Sequence, residues 1–83
     1  MATAIINTPA RNRISPKKLL LSKWTAVTPR RKEKHFLVIK VLEPEPPATT
    51  VEVIELQAVH SRRTRTMPWR DLADRSQWLP GWV

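Results

Sequence analysis

The 83-residue chain has no cysteine, no tyrosine, one glycine and one phenylalanine. Without thiols it can hold no disulfide and no thiolate zinc site, and that absence fits a reducing compartment such as the cytoplasm. With Gly81 as its one glycine, no phosphate-cradling loop of the GxxxxGK[ST] or GxGxxG kind can be written. Ser15, Ser22, Ser61 and Ser76 sit in no nucleophile-elbow context. With a cysteine nucleophile also missing, the sequence reads as non-enzymatic and implies no cofactor. No apolar run approaches the roughly 18 residues of a membrane-spanning helix, and the start lacks the charged-then-apolar order of a signal peptide. Acids are scarce as well, the first being Glu33. An acid-free opening also marks organelle transit peptides, but the first strand-like segment falls inside this one, which argues against its removal.

What the chain does carry is positive charge and tryptophan. Fifteen Lys and Arg against seven Asp and Glu give a net charge of +8. The excess is uneven: residues 1–42 balance at +9, residues 43–59 at −4 and residues 60–83 at +3. Such an excess points to an anionic partner, a nucleic acid or an acidic protein surface, although a solvated, self-repelling surface has the same composition. A domain this short buries only roughly 60% of the surface its unfolded chain exposes. The four tryptophans supply bulk to a core that has no disulfides to help it.

Hydrophobic periodicity predicts a mainly β domain over residues 17–83 behind a mobile basic tail at 1–16, where Pro9 and Pro16 interrupt an aperiodic stretch. "KLLLSKWTAV" (18–27) reads as a strand with Leu20, Trp24 and Ala26 on one face. "TPRRKEK" (28–34) reads as a charged connection, and "HFLVIKVL" (35–42) as a strand covered on both sides. "EPEPPATT" (43–50) forms a proline-rich loop, since its prolines remove ladder donors. "VEVIELQAV" (51–59) changes phase between Val53 and Ile54, which predicts a β-bulge; helical spacing of Val51, Ile54 and Ala58 is the competing reading. "RRTRTMPW" (62–69) alternates like an edge strand guarded by charge, and "RDLADRSQW" (70–78) suits one or two helical turns. Four strands and a terminal turn make an antiparallel meander curled into a small SH3-like half-barrel.

The closing "WLPGW" places Trp78 and Trp82 around a Pro80–Gly81 pair suited to a type II turn. A turn there bends the segment back, so that Trp78 or Trp82 plugs the open end of the core. The alternative leaves an indole exposed as a stacking or docking surface, a role also open to Trp24 and Trp69.

Two basic clusters stand out: Arg30, Arg31, Lys32 and Lys34, and then Arg62, Arg63 and Arg65. Antiparallel order brings the ends of their strands together into one positive face, suited to phosphates with stacked bases beside them. It suits an acidic protein groove equally, as in a regulatory module that docks on an enzyme or complex. In a hairpin whose paired numbers sum to 95, Lys40 faces Glu55, Phe36 faces Val59 and His35 faces His60. No third ligand accompanies the two histidines, so the pair reads as incidental and no metal site is assigned.

The segments "KKLLLSKWTAVTP", "KEKHFLV", "LQAVHSRRT" and "WRDLADRSQWLPGW", in that order, resemble a family of small tryptophan-rich bacterial proteins of unassigned function, over about residues 17–82. The resemblance implies one compact domain of cytoplasmic bacterial origin. It implies no activity, ligand or catalytic residue. The residues themselves therefore carry the expectation of a non-enzymatic binding module for RNA or DNA, or alternatively for an acidic protein.

Overall fold

Residues 11–83 are described by the computed structural model. They form one open antiparallel sheet of five strands: β1 (Lys23–Arg30), β2 (Glu33–Val41), β3 (Val53–Ala58), β4 (Thr64–Pro68) and β5 (Trp78–Pro80). Their order across the sheet is β4-β3-β2-β1-β5, a meander with the last strand returned to the far side of β1. The expected curled, mainly β domain is thus present, with a strand more than the four expected. Among the described residues helix is confined to 3-10 turns at Pro16–Lys18 and Trp69–Ala73. Among the described residues no helix is long and apolar enough to cross a membrane.

Period-two alternation decides which face is buried. Trp24 pairs with Phe36 and Phe36 with Ala58, while Val38 pairs with Leu56, so these side chains share one face. Ile54, one repeat along β3, joins them, and all six are buried. The face is closed by Leu19, Leu72 and Trp78, also buried, with Ile14, Met67 and Trp69 packed at its margin.

Several boundaries differ from those the sequence predicts. The first strand starts at Lys23, not residue 18, because Leu21 adopts a positive φ of 64° and residues 19–22 turn: Leu19 drops into the core while Leu20 and Leu21 stay exposed. Residues 28–34 are not a loose connection, since β1 and β2 extend to a two-residue turn at Arg31–Lys32. The predicted bulge exists, but in β2 rather than β3: pairing slips between Val38 and Lys40 while Ile54, Leu56 and Ala58 stay in phase. That slip moves the register from a sum of 95, where Lys40 does face Glu55, to one in which Phe36 meets Ala58 instead of Val59. The histidines are parted as a result. His35 pairs with Thr25, and His60 lies in the turn after β3.

Part of the predicted tail is also structured. Residues 1–10 lie outside the described residues, but 11–16 are docked, not free. Arg11 forms an isolated backbone β-bridge with Asp74, and the buried Asn12 side-chain amide donates to the carbonyls of Leu72 (2.7 Å) and Trp78 (2.9 Å). Pro16 starts the first 3-10 turn, where its missing N–H is tolerated, and the Ser15 hydroxyl caps that turn by accepting from the Lys17 amide.

Candidate functional site

The two basic clusters meet at one end of the sheet. Arg31 and Lys32 occupy the centre of the β1–β2 hairpin with φ values of 55° and 64°, the doubly left-handed geometry of a type I′ turn, whose twist matches that of the flanking strands. Asn-Gly usually fills this turn; here two long cations do, and both side chains are thrust into solvent. The next hairpin over, β3–β4, closes through hydrogen bonds between Ala58 and residues 62 and 63, with Arg62 at φ 63°. Glu33 links the two tips. Its carboxylate accepts from the Ser61 hydroxyl and lies 3.9 Å from the Arg63 guanidinium. Arg30, Arg31, Lys32, Lys34, Arg62 and Arg63 therefore share an end, as expected, and all are exposed. Among the described residues only Arg63 of these six forms a salt bridge.

Arg65 has a different setting. It lies one residue into β4 on the core-facing side, paired with Leu56. Its guanidinium carbon is 5.3 Å from the ring centroid of Phe36 and 5.3 Å from that of Trp78, two rings in edge-to-face contact. Arg65 thus closes the end of the core with a cation, a contact favoured by the negative faces of the rings.

Beyond Arg65 a groove of about 770 Å³ opens between β4 and the second 3-10 turn. Arg11, Arg70 and Arg75 line it together with Arg65, Asp71 and Asp74, over the edge of Trp78. A smaller hollow of about 180 Å³ shares Arg65, Gln77 and Trp78 with it and reaches Arg30 and Glu33 at the hairpin tip. Arg70 is held 5.0 Å from the Trp69 centroid and is ion-paired with Glu52. The Asp74 carboxyl sits below its ordinary range chiefly because the Ser76 hydroxyl donates to it, then because the Ser76 amide does, with Arg11 nearby. Sequence pattern does not single out Arg11, Arg70 and Arg75. They are scattered over a presumed tail and a presumed helical turn, and no spacing rule unites them.

The tryptophans divide by role. Trp78 is the plug of the core at 5% exposure, which is the role foreseen for one of the closing pair. Gly81, at φ +80°, turns the chain as expected and sends Trp82 to the opposite face of the sheet. There Trp82 is 41% exposed, donates to the Phe36 carbonyl and carries the Lys23 ammonium 4.8 Å from its ring. Trp24, 4% exposed with its indole N–H on Ser22, is core, so it cannot stack a base as the sequence allowed. Trp69 is half-buried beneath Arg70, its indole N–H on the Val51 carbonyl. Among the described residues no three His, Cys, Asp or Glu side chains cluster as metal ligands do.

Comparison with known proteins gives one result: residues 22–83 match the family described as Tryptophan-rich protein (DUF2389), and the chain belongs to it. No curated protein and no solved structure matches the chain.

Proposed function

We propose that the protein is a non-enzymatic binding module whose basic end contacts nucleic acid. The observation that carries this reading is the convergence of Arg30, Arg31, Lys32, Lys34, Arg62 and Arg63 at two linked hairpin tips, beside an arginine-lined groove. Phosphate backbones are recognised by such clustered cations, of which all but Arg63 lack a salt bridge among the described residues, and convergence is favoured because each contact releases counterions. We place the protein in the bacterial cytoplasm, in keeping with its lack of cysteine.

Salt titration tests the reading. With about five phosphate contacts, log affinity should fall with log salt at a slope of roughly −4.5 on duplex and −3.5 on single strands. Arg31→Gln with Lys32→Gln should flatten the duplex slope by nearly two units and leave folding stability unchanged, because exposed charges contribute little to it. Failure of the purified protein to shift any RNA or DNA at about 50 mM salt, where such contacts are strong, would remove the proposal. A second reading, docking on an acidic protein as a regulator, draws on the exposed Trp82 of the opposite face, with Lys23 beside it. Its signature is a shallow salt dependence and a sharp loss with Trp82→Ala, the behaviour of an interface anchor.

A further inference from the structure

We infer that the groove between β4 and the second 3-10 turn holds unpaired nucleotides of a single strand, with its arginines on phosphates and its aspartates on base edges. The inference rests on the nucleic-acid reading above and adds to it a strand type, a path and a base preference.

Shape is the first ground. Reading a duplex through its major groove calls for a projecting helix or ribbon, and the hairpin tips project. The groove does the reverse: it is concave, about 770 Å³, and floored by Trp78 and Met67. A concave site of this size suits a flexible strand with splayed bases and does not suit a duplex.

The second ground is how the cations are held. Arg65 rests over Phe36 and Trp78, and Arg70 over Trp69. The rings occupy one side of each guanidinium, so less freedom is lost on binding a phosphate, and Arg65, unlike the Glu52-paired Arg70, keeps its N–H groups able to reach an anion. This arrangement also reassigns the tryptophans. Trp69 and Trp78 do not offer bare faces to bases; they support the arginines, and a guanidinium plane is itself a surface on which bases stack. Arg65, Arg11 and Arg75 have no carboxylate partner within salt-bridge distance among the described residues.

The third ground is the pair of acids. A site for bare phosphate gains nothing from Asp71 and Asp74, whose charges repel it. Beside arginines, however, a carboxylate matches an exocyclic amino group such as cytosine N4, with a guanidinium free to donate to the acceptors next to it. Asp74 Oδ1 is occupied by the Ser76 amide and hydroxyl, which leaves Oδ2 for a ligand. Cytosine should therefore be preferred to uracil, which has a carbonyl where cytosine has the amino group.

The test uses the full chain with fluorescently labelled oligo(C), oligo(U) and a duplex, each about 12 nucleotides long to span one small-domain site. Arg65→Gln with Arg75→Gln should weaken oligo(C) binding about tenfold or more, flatten its salt slope by about 1.4, and leave duplex affinity within about twofold. Arg65→Lys, which keeps the charge but loses the planar fork, should weaken oligo(C) as well. Arg75→Gln alone keeps the test valid should changes at Arg65 disturb folding. Asp71→Asn should narrow the preference for oligo(C) over oligo(U). Equal losses on single strand and duplex, or no loss on oligo(C) while Arg31→Gln with Lys32→Gln does weaken binding, would overturn the groove assignment and leave the nucleic-acid reading intact. Cytidine monophosphate binding as tightly as oligo(C) would also overturn it, in favour of a free nucleotide. Absence of binding to every probe would overturn both readings together.

Discussion

One face of the sheet is sealed by Leu19, Leu72 and Trp78, and among the described residues the other is crossed by the strap Gly81–Val83. Both faces are built from the same strands by the same alternation, so the difference lies in what the chain has left over to cover them. The docked N-terminal segment and the second 3-10 turn both go to one side. On the other, Thr25 accepts from the Val83 amide and donates to the Gly81 carbonyl, and Trp82 leans against His35. Despite that contrast the two faces end alike: each finishes in an aromatic ring capped by a cation, Arg65 over Trp78 on one and Lys23 over Trp82 on the other. In a chain too short for a second full layer, long cationic side chains complete the apolar surface with their stems and keep their charge in water.

The strongest way to break this comparison is Trp78→Ala. Removing a buried indole from the sealed face should cost about 3–5 kcal/mol, a large share of the roughly 5–15 kcal/mol typical of a domain. Urea unfolding should show it as a shifted midpoint or an unfolded protein, and a loss near 1 kcal/mol would mean the faces are energetically equal. Trp82→Ala sharpens the contrast. The side chain is partly exposed and contributes one hydrogen bond and one cation–π contact, so its loss should be about 1–2 kcal/mol by the same measurement. The smallest effect belongs to Asp74, at the edge of the sealed face. Its carboxyl is held below the ordinary range by Ser76, so its contribution is complete above the unfolded-state value and fades as pH falls through the folded-state value. Asp74→Asn should be less stable than the parent at neutral pH, and the gap should close under acid conditions. A gap that widens on acidification would contradict the assigned contacts.

The residues that proclaimed themselves in the sequence were those governed by local rules. The branched run of β2, the inward triplet Ile54, Leu56 and Ala58, and the proline-rich loop follow from alternation and from what proline forbids. The Arg31–Lys32 turn was hidden because left-handed turns announce themselves through glycine or asparagine, and neither is present. The bulge is legible in the sequence but not its strand, since a slip between paired strands disturbs the pattern without saying which strand holds the extra residue. Strand β5 is three residues long and ends in proline, so its sequence is that of a turn. The basic tips were legible as charge runs. The groove was not, because Arg11, Arg65 and Arg75 converge only through tertiary packing.

The Asn12 amide holds two carbonyls, 60 and 66 positions further along the chain. Each of the first three hairpin pairings joins strands adjacent in sequence and can form as soon as its second strand has been synthesised. The clamp cannot. It must wait until the segment around Trp78 has emerged from the ribosome, and closing so long a loop is entropically the slowest kind of contact to establish. The clamp should therefore form after the hairpins, with an early segment held in reserve for a late partner. Pulse-labelled hydrogen exchange during refolding should show the backbone N–H of Asn12, which donates to the Ala73 carbonyl beside the side-chain clamp, protected after the amides of β2 and β3. Protection of Asn12 ahead of those strands would exclude that order.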